Sequence, residues 1–470
     1  MLYQNGATRN DKTQSLLSFH VIVMQGKWKA GISIAAWSVT ESYNCNMTKL
    51  VAMKWYFISS VLIVVGIIGS IFINISYYVK DPIVQNELNS NNGLECNFST
   101  YKLCPAILNG EEEACRVGDV CQKKRKPETV HIQDPVNCSG IVLEHHFITS
   151  SLSQEEASYP LAYIITIHKE LEMFVKLLRA IYSPQNVYCI HVDQKSPEDY
   201  KRKVKSLADC FDNIFLASKM EYVVYGGFSR LQADINCMKD LVNSKVEWKH
   251  VINLCGQDFP IKTNREIIWH IKSKWEGKNI TPGIRQPPNM KYRTEYIYKE
   301  QTDNGNAQIY RLNQKKTTPP LELSIYFGTA YYALTRKFVQ FVLEDARAKA
   351  LLEWSRDTYS PDEHYWVTLN RLKDAPGATP DVSWEGNTRA VIWAPHVGPS
   401  FDGCKGRYVR DICVFGLRDL KWIVQQPDMF ANKFELTTYP LTMSCMEQWY
   451  RDRVLNQTSA TIQPHWYLQD

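Results

Sequence analysis

The pattern of apolar and polar positions changes at residue 159, where short apolar runs begin to alternate with segments of helical spacing. Near-continuous apolar runs are typical of strands buried on both faces, and apolar residues recurring every three or four positions are typical of amphipathic helices. The predicted strands are residues 161–168, 187–193, 214–217, 251–255 and 324–334. The predicted helices are residues 171–181, 197–211, 228–241, 263–275 and 336–343. This alternation predicts an α/β domain with a mostly parallel sheet and right-handed crossovers.

The carboxyl ends of the strands form the edge at which such a sheet binds ligands. His168, Asp193 and the pair Gln257 and Asp258 follow three of the predicted strands, so we expect the substrate cleft to lie near them. Residues 276–322 are rich in Asn, Pro, Lys and Thr. That composition predicts a long loop region that borders the cleft.

Residues 359–371 read Tyr-Ser-Pro-Asp-Glu-His-Tyr-Trp-Val-Thr-Leu-Asn-Arg and predict the start of a helix. Ser360 suits the N-cap, Pro361 suits the first helical position, and Glu363 suits the acid of a capping box. A carboxylate at a helix N-terminus is also held rigidly and stays ionised, which suits a general base that accepts a proton from a hydroxyl. The local pattern leaves both roles of Glu363 open.

The N-terminal part of the chain contains one long apolar run, residues 55–79, with aromatic residues at both ends and no cleavage site of small residues after it. This pattern predicts a transmembrane signal anchor. Basic residues predominate before the run, so we expect residues 1–54 to be a cytosolic tail and the bulk of the chain to be lumenal. Met53 begins a second plausible start, and a mispredicted extension is the alternative interpretation of the tail. Residues 80–136 are polar and cysteine-bearing, and we interpret them as a stem.

The composition and motifs exclude several classes of protein. The net charge is only +5 over 470 residues and no long Lys/Arg block occurs, so we expect no nucleic-acid partner. Glycine-rich dinucleotide and phosphate loops are absent, as are Gly-x-Ser-x-Gly and His-Glu-x-x-His. The thirteen cysteines include no Cys-x-x-Cys pair, so a structural zinc site is not expected. Many cysteines together with Asn-x-Ser/Thr sequons favour a secretory, oxidising compartment.

Four motifs together resemble the core-2/I-branching β-1,6-N-acetylglucosaminyltransferase family. They are Tyr-Ser-Pro-Gln-Asn-Val-Tyr-Cys-Ile-His-Val-Asp at 182–193, Asn-Leu-Cys-Gly-Gln-Asp-Phe-Pro-Ile-Lys-Thr-Asn at 253–264, Ser-Pro-Asp-Glu at 360–363 and Phe-Ala-Asn-Lys-Phe at 430–434. The resemblance covers residues 137–470. It implies that this region is a lumenal catalytic domain of the GT-A-type, Rossmann-like fold. Together with the predicted anchor, it implies a single-pass type II protein of the Golgi membrane.

The resemblance implies an inverting transfer of GlcNAc from UDP-GlcNAc in β-1,6 linkage. The implied acceptors are glycoprotein or glycolipid glycans: galactosyl-containing O-glycans for core-2 type branching, or poly-N-acetyllactosamine for I branching. It implies no cofactor and no metal, and the chain lacks the Asp-x-Asp motif through which most GT-A enzymes bind a divalent ion. Two alternatives stay open, a catalytically silent glycan-binding paralogue and a related transferase with another UDP-sugar donor. The sequence makes no prediction of oligomeric state.

The resemblance also implies roles for individual residues. Glu363 matches the catalytic base of the family. The implied UDP-sugar-binding residues are Arg410, Lys433, Asp193, Tyr225 and, at a nearby strand end, His168. The implied acceptor-binding residues are Trp393, Lys291 and Arg293. Standing alone, each of these side chains could instead be a surface charge, a satisfied strand-end residue or, for Trp393, part of the core.

The family pattern implies four disulfides, Cys104–Cys445, Cys138–Cys210, Cys189–Cys237 and Cys404–Cys413, with Cys255 free. It leaves the pairing of Cys96, Cys115 and Cys121 open. The lumenal orientation predicts N-glycosylation at Asn97, Asn137, Asn279 and Asn456, whereas Asn46 would face the cytosol.

Overall fold

The computed structural model describes residues 100–127, 129–132, 136–303, 307–398 and 402–460, together with Cys96, Ile462 and a short N-terminal hairpin. The chain divides into two compact units, Met1–Leu94 and Glu95–Asp470. In the first unit, the described hairpin consists of the antiparallel strands Val23–Met24 and Lys27–Trp28. The rest of the predicted tail, the predicted anchor at residues 55–79, and Asn46 and Asn97 lie outside the described residues. In the described part of the chain, no helix is both long and apolar enough to cross a bilayer.

The second unit alternates helices and strands from residue 161 onward. Its helices are Thr100–Asn109, Glu112–Lys124, Cys138–Glu144, Gln154–Ala157, Leu171–Ile181, Glu198–Ala208, Phe228–Val242, Asn264–Lys274, Tyr292–Glu295, Arg336–Glu344, Ala346–Trp354, Asp362–Leu369, Leu420–Ile423 and Pro440–Gln457. Its strands are Leu161–Ile167, Val187–Val192, Ile214–Leu216, His250–Cys255, Asp258–Pro260, Gly283–Arg285, Tyr296–Gln301, Gln308–Lys315, Tyr326–Gly328, Ala333–Thr335, Arg389–Val391, Arg407–Val409, Ile412–Val414 and Phe430–Asn432.

The central sheet confirms the predicted α/β architecture. Its five strands lie in the order Ala333–Thr335, His250–Cys255, Leu161–Ile167, Val187–Val192 and Ile214–Leu216. All neighbours pair in parallel except the edge strand Ala333–Thr335, which is antiparallel. Every residue of Leu161–Ile167 is buried. Alternate side chains of this strand enter two different apolar clusters on the two faces of the sheet, which explains its near-continuous apolar run.

Smaller sheets lie beside the central one. Arg389–Val391 pairs in parallel with Phe430–Asn432, which pairs on its other side with Asp258–Pro260 in the antiparallel sense. Arg407–Val409 and Ile412–Val414 form a tight antiparallel hairpin. These elements extend the protein at the edge where the central strands end.

The prediction of a long loop over residues 276–322 is wrong. This region contains Gly283–Arg285 and a two-stranded hairpin, Tyr296–Gln301 with Gln308–Lys315. The hairpin has few buried residues, so its sequence lacks the apolar alternation that marks a half-buried strand. The predicted strand at 324–334 is in fact two strands: Tyr326–Gly328 pairs with Gly283–Arg285, whereas Ala333–Thr335 joins the central sheet.

The described part of the predicted stem is helical. Thr100–Asn109 and Glu112–Lys124 pack against the C-terminal helix Pro440–Gln457. Leu103, Cys104 and Ile107 are buried in the main apolar cluster. The compact unit therefore begins well before the domain boundary that we predict at residue 137.

Candidate active site

Glu363 lies in the first turn of the helix Asp362–Leu369, and its carboxylate forms an ion pair with the guanidinium of Arg293. Ser360 does not cap this helix. Its φ is +44°, and its backbone N–H donates to the carbonyl of Gly226 at 2.7 Å. The N-cap position is taken by Pro361, which has no capping side chain. The capping-box interpretation of Ser360 and Glu363 is therefore wrong, because a tertiary contact engages the carboxylate instead.

The environment of Glu363 changes its proton affinity. Burial raises the pKa of Glu363 to about 7; the charge of Arg293 opposes this rise and the charge of Asp362 adds to it. This pKa favours a mixture of the ionised and protonated forms near neutral pH, whereas the position at a helix N-terminus alone predicts the ionised form. A carboxylate with a pKa near the working pH is a stronger proton acceptor than an ordinary glutamate, while a large fraction remains ionised.

Arg293 is held by aromatic rings around its guanidinium. The guanidinium carbon lies 5.2 Å from the ring centre of Phe327, 5.2 Å from that of Tyr359 and 6.0 Å from that of Tyr292. The carbonyl of Arg293 also accepts from the backbone N–H of Tyr359 at 3.1 Å. The residue that the resemblance assigns to acceptor binding thus contacts the proposed base directly.

Arg410 lies at the tip of the hairpin Arg407–Val409 with Ile412–Val414. Both turn residues, Arg410 and Asp411, have left-handed backbone angles, with φ of +52° and +62°. Two consecutive left-handed residues are typical of the tight turn that matches the twist of a hairpin. The turn therefore fixes the direction in which the chain presents Arg410.

Two further interactions stabilise the end of this hairpin that lies opposite its turn. The disulfide Cys404–Cys413 joins its two sides. The buried carboxylate of Asp419 accepts from the backbone N–H groups of Lys405 at 2.8 Å, Gly406 at 3.1 Å and Gly416 at 2.8 Å. Because these amides precede and follow the two strands, the carboxylate holds both ends of the hairpin together.

Arg410 and Glu363 are linked through one loop. The guanidinium of Arg410 lies 4.3 Å from the ring centre of Tyr225, a side chain that is 54% exposed. The next residue, Gly226, accepts the hydrogen bond from Ser360 described above. Partial desolvation and the charge of Glu363 raise the pKa of Tyr225, while Arg410 opposes the rise. Tyr225 therefore contacts Arg410 and lies within electrostatic range of Glu363.

Lys433 is adjacent to the same hairpin. Its Nζ donates to the carbonyl of Val409, the residue before Arg410, at 3.2 Å. Desolvation lowers the pKa of Lys433, and the positive charge of Arg410 contributes to this. An ammonium group whose proton affinity is lowered by a neighbouring positive charge is stabilised when an anion binds beside it. The fold thus brings together the two basic residues that the resemblance implies.

Asp193 and His168 lie at the carboxyl ends of neighbouring strands, as predicted. The buried carboxylate of Asp193 accepts from the ammonium of Lys195 and from the backbone N–H groups of Lys195 at 3.1 Å and Val223 at 3.3 Å. His168 is exposed. Desolvation lowers the pKa of His168, with further contributions from nearby cations that include Arg410. His168 is therefore within electrostatic reach of the Arg410 hairpin.

Three charged residues that we did not predict lie beside these groups. Glu435 accepts from the ammonium of Lys169 at 2.8 Å and from the guanidinium of Arg407. Partial burial opposes ionisation of Glu435, but hydrogen bonds from Lys169, Thr438 and Arg407 lower its pKa to about 2. Lys169 and Arg407 add positive charge near Arg410 and Lys433. In the sequence, Glu435 directly follows the motif at 430–434, but no local pattern marks either cation.

The remaining predicted acceptor residues do not contact Glu363 in the described part of the structure. Trp393 is 36% exposed and forms a β-bridge with Ile412, and the following residue, Ala394, donates to Asp411 at 2.9 Å. It therefore lies beside the Arg410 hairpin. Lys291 is exposed and immediately precedes the short helix that carries Arg293.

The structure contains the disulfides Cys104–Cys445, Cys138–Cys210, Cys189–Cys237 and Cys404–Cys413, the same pairs that the resemblance implies. It adds Cys96–Cys121, and among the described cysteines Cys115 and Cys255 are free. Within the described residues, Cys404, Cys413 and Asp419 form a cluster of metal-ligand type. The two sulfurs of that cluster are bonded to each other and offer no thiolate to an ion.

Asn279 is not a glycosylation site in this fold. The residue is fully buried. Its Nδ2 donates to Asn370 at 2.9 Å and to the carbonyl of Pro376 at 2.8 Å, and its Oδ1 accepts from Thr335. No room remains for a glycan on Nδ2, so the prediction for Asn279 is wrong. Asn137 and Asn456 are exposed and stay predicted sites.

Comparison with known proteins assigns the chain to a family. The family model described as Core-2/I-Branching enzyme matches residues 161–424. The chain is 56% identical over 377 residues to "Probable beta-1,3-galactosyl-O-glycosyl-glycoprotein beta-1,6-N-acetylglucosaminyltransferase 7" of both Sus scrofa and Homo sapiens, covering 80% of this chain and 88% of each relative. It is 54% identical over 335 residues to human "N-acetyllactosaminide beta-1,6-N-acetylglucosaminyl-transferase", covering 71% and 83%. This protein belongs to the core-2/I-branching enzyme family.

Both relatives agree with the sequence motifs. Residues 262–275 and 370–380 predict similarity to transferase 7, and the C-terminal run predicts similarity to the I-branching enzyme; both predictions are confirmed. Among solved structures, apo mouse xyloside xylosyltransferase 1 aligns with a TM-score of 0.28 and 12% identity, over 53% of this chain and 95% of that chain. A likeness at that level carries no argument.

Proposed function

We propose that this protein transfers GlcNAc from UDP-GlcNAc to the C6 hydroxyl of a sugar in a galactosyl-containing O-glycan or poly-N-acetyllactosamine, forming a β-1,6 branch. The observation that carries the proposal is the connection between Glu363 and the cation pair Arg410 and Lys433 through Tyr225 and Gly226. The names of the relatives support the transferred sugar, the β-1,6 linkage and the two acceptor classes, and UDP as the carrier is part of the proposal.

Glu363 is the general base of this reaction. With a pKa of about 7, its ionised form accepts the proton of the acceptor hydroxyl as that oxygen attacks the anomeric carbon. A single displacement of an α-linked donor gives a β product, so one carboxylate is sufficient and no covalent intermediate is needed. Arg293 holds the carboxylate in place and lowers the cost of its ionisation.

Arg410 and Lys433 stabilise the negative charge that develops on the leaving diphosphate, which is the role of a divalent ion in enzymes that carry one. Lys169 and Arg407 increase the positive potential on the same side. Asp193, Tyr225 and His168 surround the nucleotide, and Trp393 and Lys291 contact the acceptor. The reaction is therefore independent of metal ions and of other cofactors.

The cellular setting follows from the same proposal. Residues 55–79 anchor the protein in the Golgi membrane, residues 1–54 face the cytosol, and residues from 80 onward are lumenal. Five disulfides support this orientation, because disulfides persist in oxidising compartments.

The test is a transfer assay with the detergent-solubilised full chain, UDP-GlcNAc, EDTA and acceptors of the core-1 disaccharide and lactosamine types. We expect transfer in EDTA and a β-1,6 linkage in the product by NMR. Activity that appears only after Mn²⁺ is added would overturn the role of the cation pair. Binding of UDP without transfer to any acceptor would favour a silent glycan-binding paralogue.

A further inference from the structure

An exposed tryptophan outside the predicted site is connected to the proposed base, Glu363, by a series of side-chain contacts. Trp384 is 39% exposed, and its ring packs edge-on against Phe327 with ring centres 6.2 Å apart. Phe327 also lies 5.6 Å from the ring of His364 and stacks beside the guanidinium of Arg293. Arg293 pairs with Glu363. Three side-chain contacts thus connect Trp384 to the reacting carboxylate, through the ring of Phe327 and the guanidinium of Arg293.

The backbone around Trp384 is fixed to the elements that carry these groups. The carbonyl of Ser383 accepts from the N–H of Gly283 at 2.9 Å. The strand of Gly283 pairs with the strand of Phe327, and Tyr326 donates its N–H to the Thr368 hydroxyl of the Glu363 helix at 3.0 Å. These hydrogen bonds therefore fix the position of Trp384 relative to Glu363.

The backbone that follows Trp384 packs closely against the core at Gly386. Gly386 has φ of +78°, and a Cβ at this position would lie 2.7 Å from side-chain atoms of Trp275 and Ile280. The chain can pass this closely to the core only because residue 386 has no side chain. The exposed indole is thus part of an ordered surface.

The chemistry of this surface favours a neutral sugar. An exposed aromatic face beside a polar cleft suits the apolar face of a pyranose ring. Asp381 and Glu385 are exposed on either side of Trp384 and disfavour an anionic sugar by charge repulsion. Among the exposed tryptophans of the described residues, Trp269 lies on the helix Asn264–Lys274 and Trp393 lies beside the Arg410 hairpin, whereas Trp384 has a contact path to Glu363.

We propose that Trp384 forms a subsite for a neutral sugar of an extended acceptor, beyond the sugar that carries the reacting hydroxyl. The ligand class is an uncharged oligosaccharide of hexopyranoses longer than a disaccharide. This inference rests on the proposed function and adds to it a preference for acceptor length.

The test compares Trp384→Ala with the wild-type full chain, using a disaccharide and a linear neutral hexasaccharide of the lactosamine type. We expect the KM for the hexasaccharide to rise about tenfold, because one ring contact is lost, and the KM for the disaccharide and for UDP-GlcNAc to stay unchanged. Trp384→Tyr should restore most of the hexasaccharide affinity. Trp269→Ala is the matched control, since Trp269 is 62% exposed on the helix Asn264–Lys274.

Two outcomes overturn the subsite: an equal loss with both acceptors, or an unchanged KM for the hexasaccharide. Failure of the proposed function is a separate result, in which the wild type transfers to neither acceptor. In that case binding of the same hexasaccharide is measured by saturation-transfer NMR. A signal that Trp384→Ala removes and Trp269→Ala keeps supports the subsite, and equal signals in all three proteins overturn it.

Discussion

At the residue scale, the proposed catalysis depends on the ion pair between Glu363 and Arg293. The carboxylate is the proposed proton acceptor, and the guanidinium is held among aromatic rings that leave it few other positions. Burial raises the pKa of the acid, and Arg293 limits that rise. The pair therefore sets the pH at which the base becomes ionised.

The pH dependence of kcat/KM should follow this ionisation. Below pH 7 Glu363 is mostly protonated and cannot accept a proton, so the rate should rise with pH through about 7 and then level off. Arg293→Gln removes the cation that lowers this pKa, so the acidic limb should move to higher pH. The measurement is a rate profile at saturating UDP-GlcNAc. Arg356→Gln, which removes an exposed arginine paired with Glu353, is the control and should leave the limb in place.

Sequence motifs pointed to Glu363 but could not define its surroundings. Arg293 lies 70 positions away, and only the fold brings it to the carboxylate. The predicted N-cap at Ser360 is wrong for the same reason, since it too depends on a tertiary contact. The hydrogen bond to Gly226 accompanies a left-handed backbone conformation of Ser360. Asn279 shows the limit of a three-residue motif, since a sequon carries no information about burial.

At the element scale, the hairpin that carries Arg410 is the most constrained part of the site. Its turn, its disulfide and the three hydrogen bonds to Asp419 all fix the same short segment. We infer that Asp419 is a positioning residue for Arg410, because it is buried and holds both ends of the hairpin together.

Asp419→Asn should weaken UDP binding by about tenfold, because an amide cannot accept all three hydrogen bonds with the strength of a carboxylate. The KM for the acceptor should stay unchanged. Isothermal titration with UDP measures the effect. Asp402→Asn removes a nearby exposed carboxylate that pairs with Lys405 and serves as the control. Equal UDP affinity in both variants would remove Asp419 from this role.

The elements of the central sheet were predictable because two buried faces demand apolar residues at nearly every position. The region 283–315 was not, because its hairpin is stabilised mainly by backbone pairing and remains exposed. The role of Asp419 could not be predicted either, since it binds backbone amides, which are the same at every non-proline position of the sequence.

At the scale of the whole molecule, the helices before residue 137 are part of the catalytic unit. The disulfide Cys104–Cys445 joins the first of them to the C-terminal helix across 341 positions, whereas Cys96–Cys121 closes a separation of only 25. A crosslink that closes a longer loop removes more entropy from the unfolded chain.

Replacing Cys104 and Cys445 by serine should therefore lower the unfolding free energy by about 2 kcal/mol more than replacing Cys96 and Cys121 by serine. Denaturant unfolding under oxidising conditions, followed by circular dichroism, compares the two double variants. An equal or smaller loss for the Cys104–Cys445 pair would contradict the integration of these helices into the unit.

The most direct test of Glu363 as the general base compares Glu363→Gln with the wild type at pH 8, where most of the wild-type carboxylate is ionised. The two quantities are UDP affinity and the rate of GlcNAc transfer to a galactosyl acceptor in EDTA. We expect an unchanged UDP affinity and a transfer rate lower by about 100-fold or more, because the amide cannot accept the hydroxyl proton. A variant that binds UDP and transfers at nearly the wild-type rate would contradict this expectation.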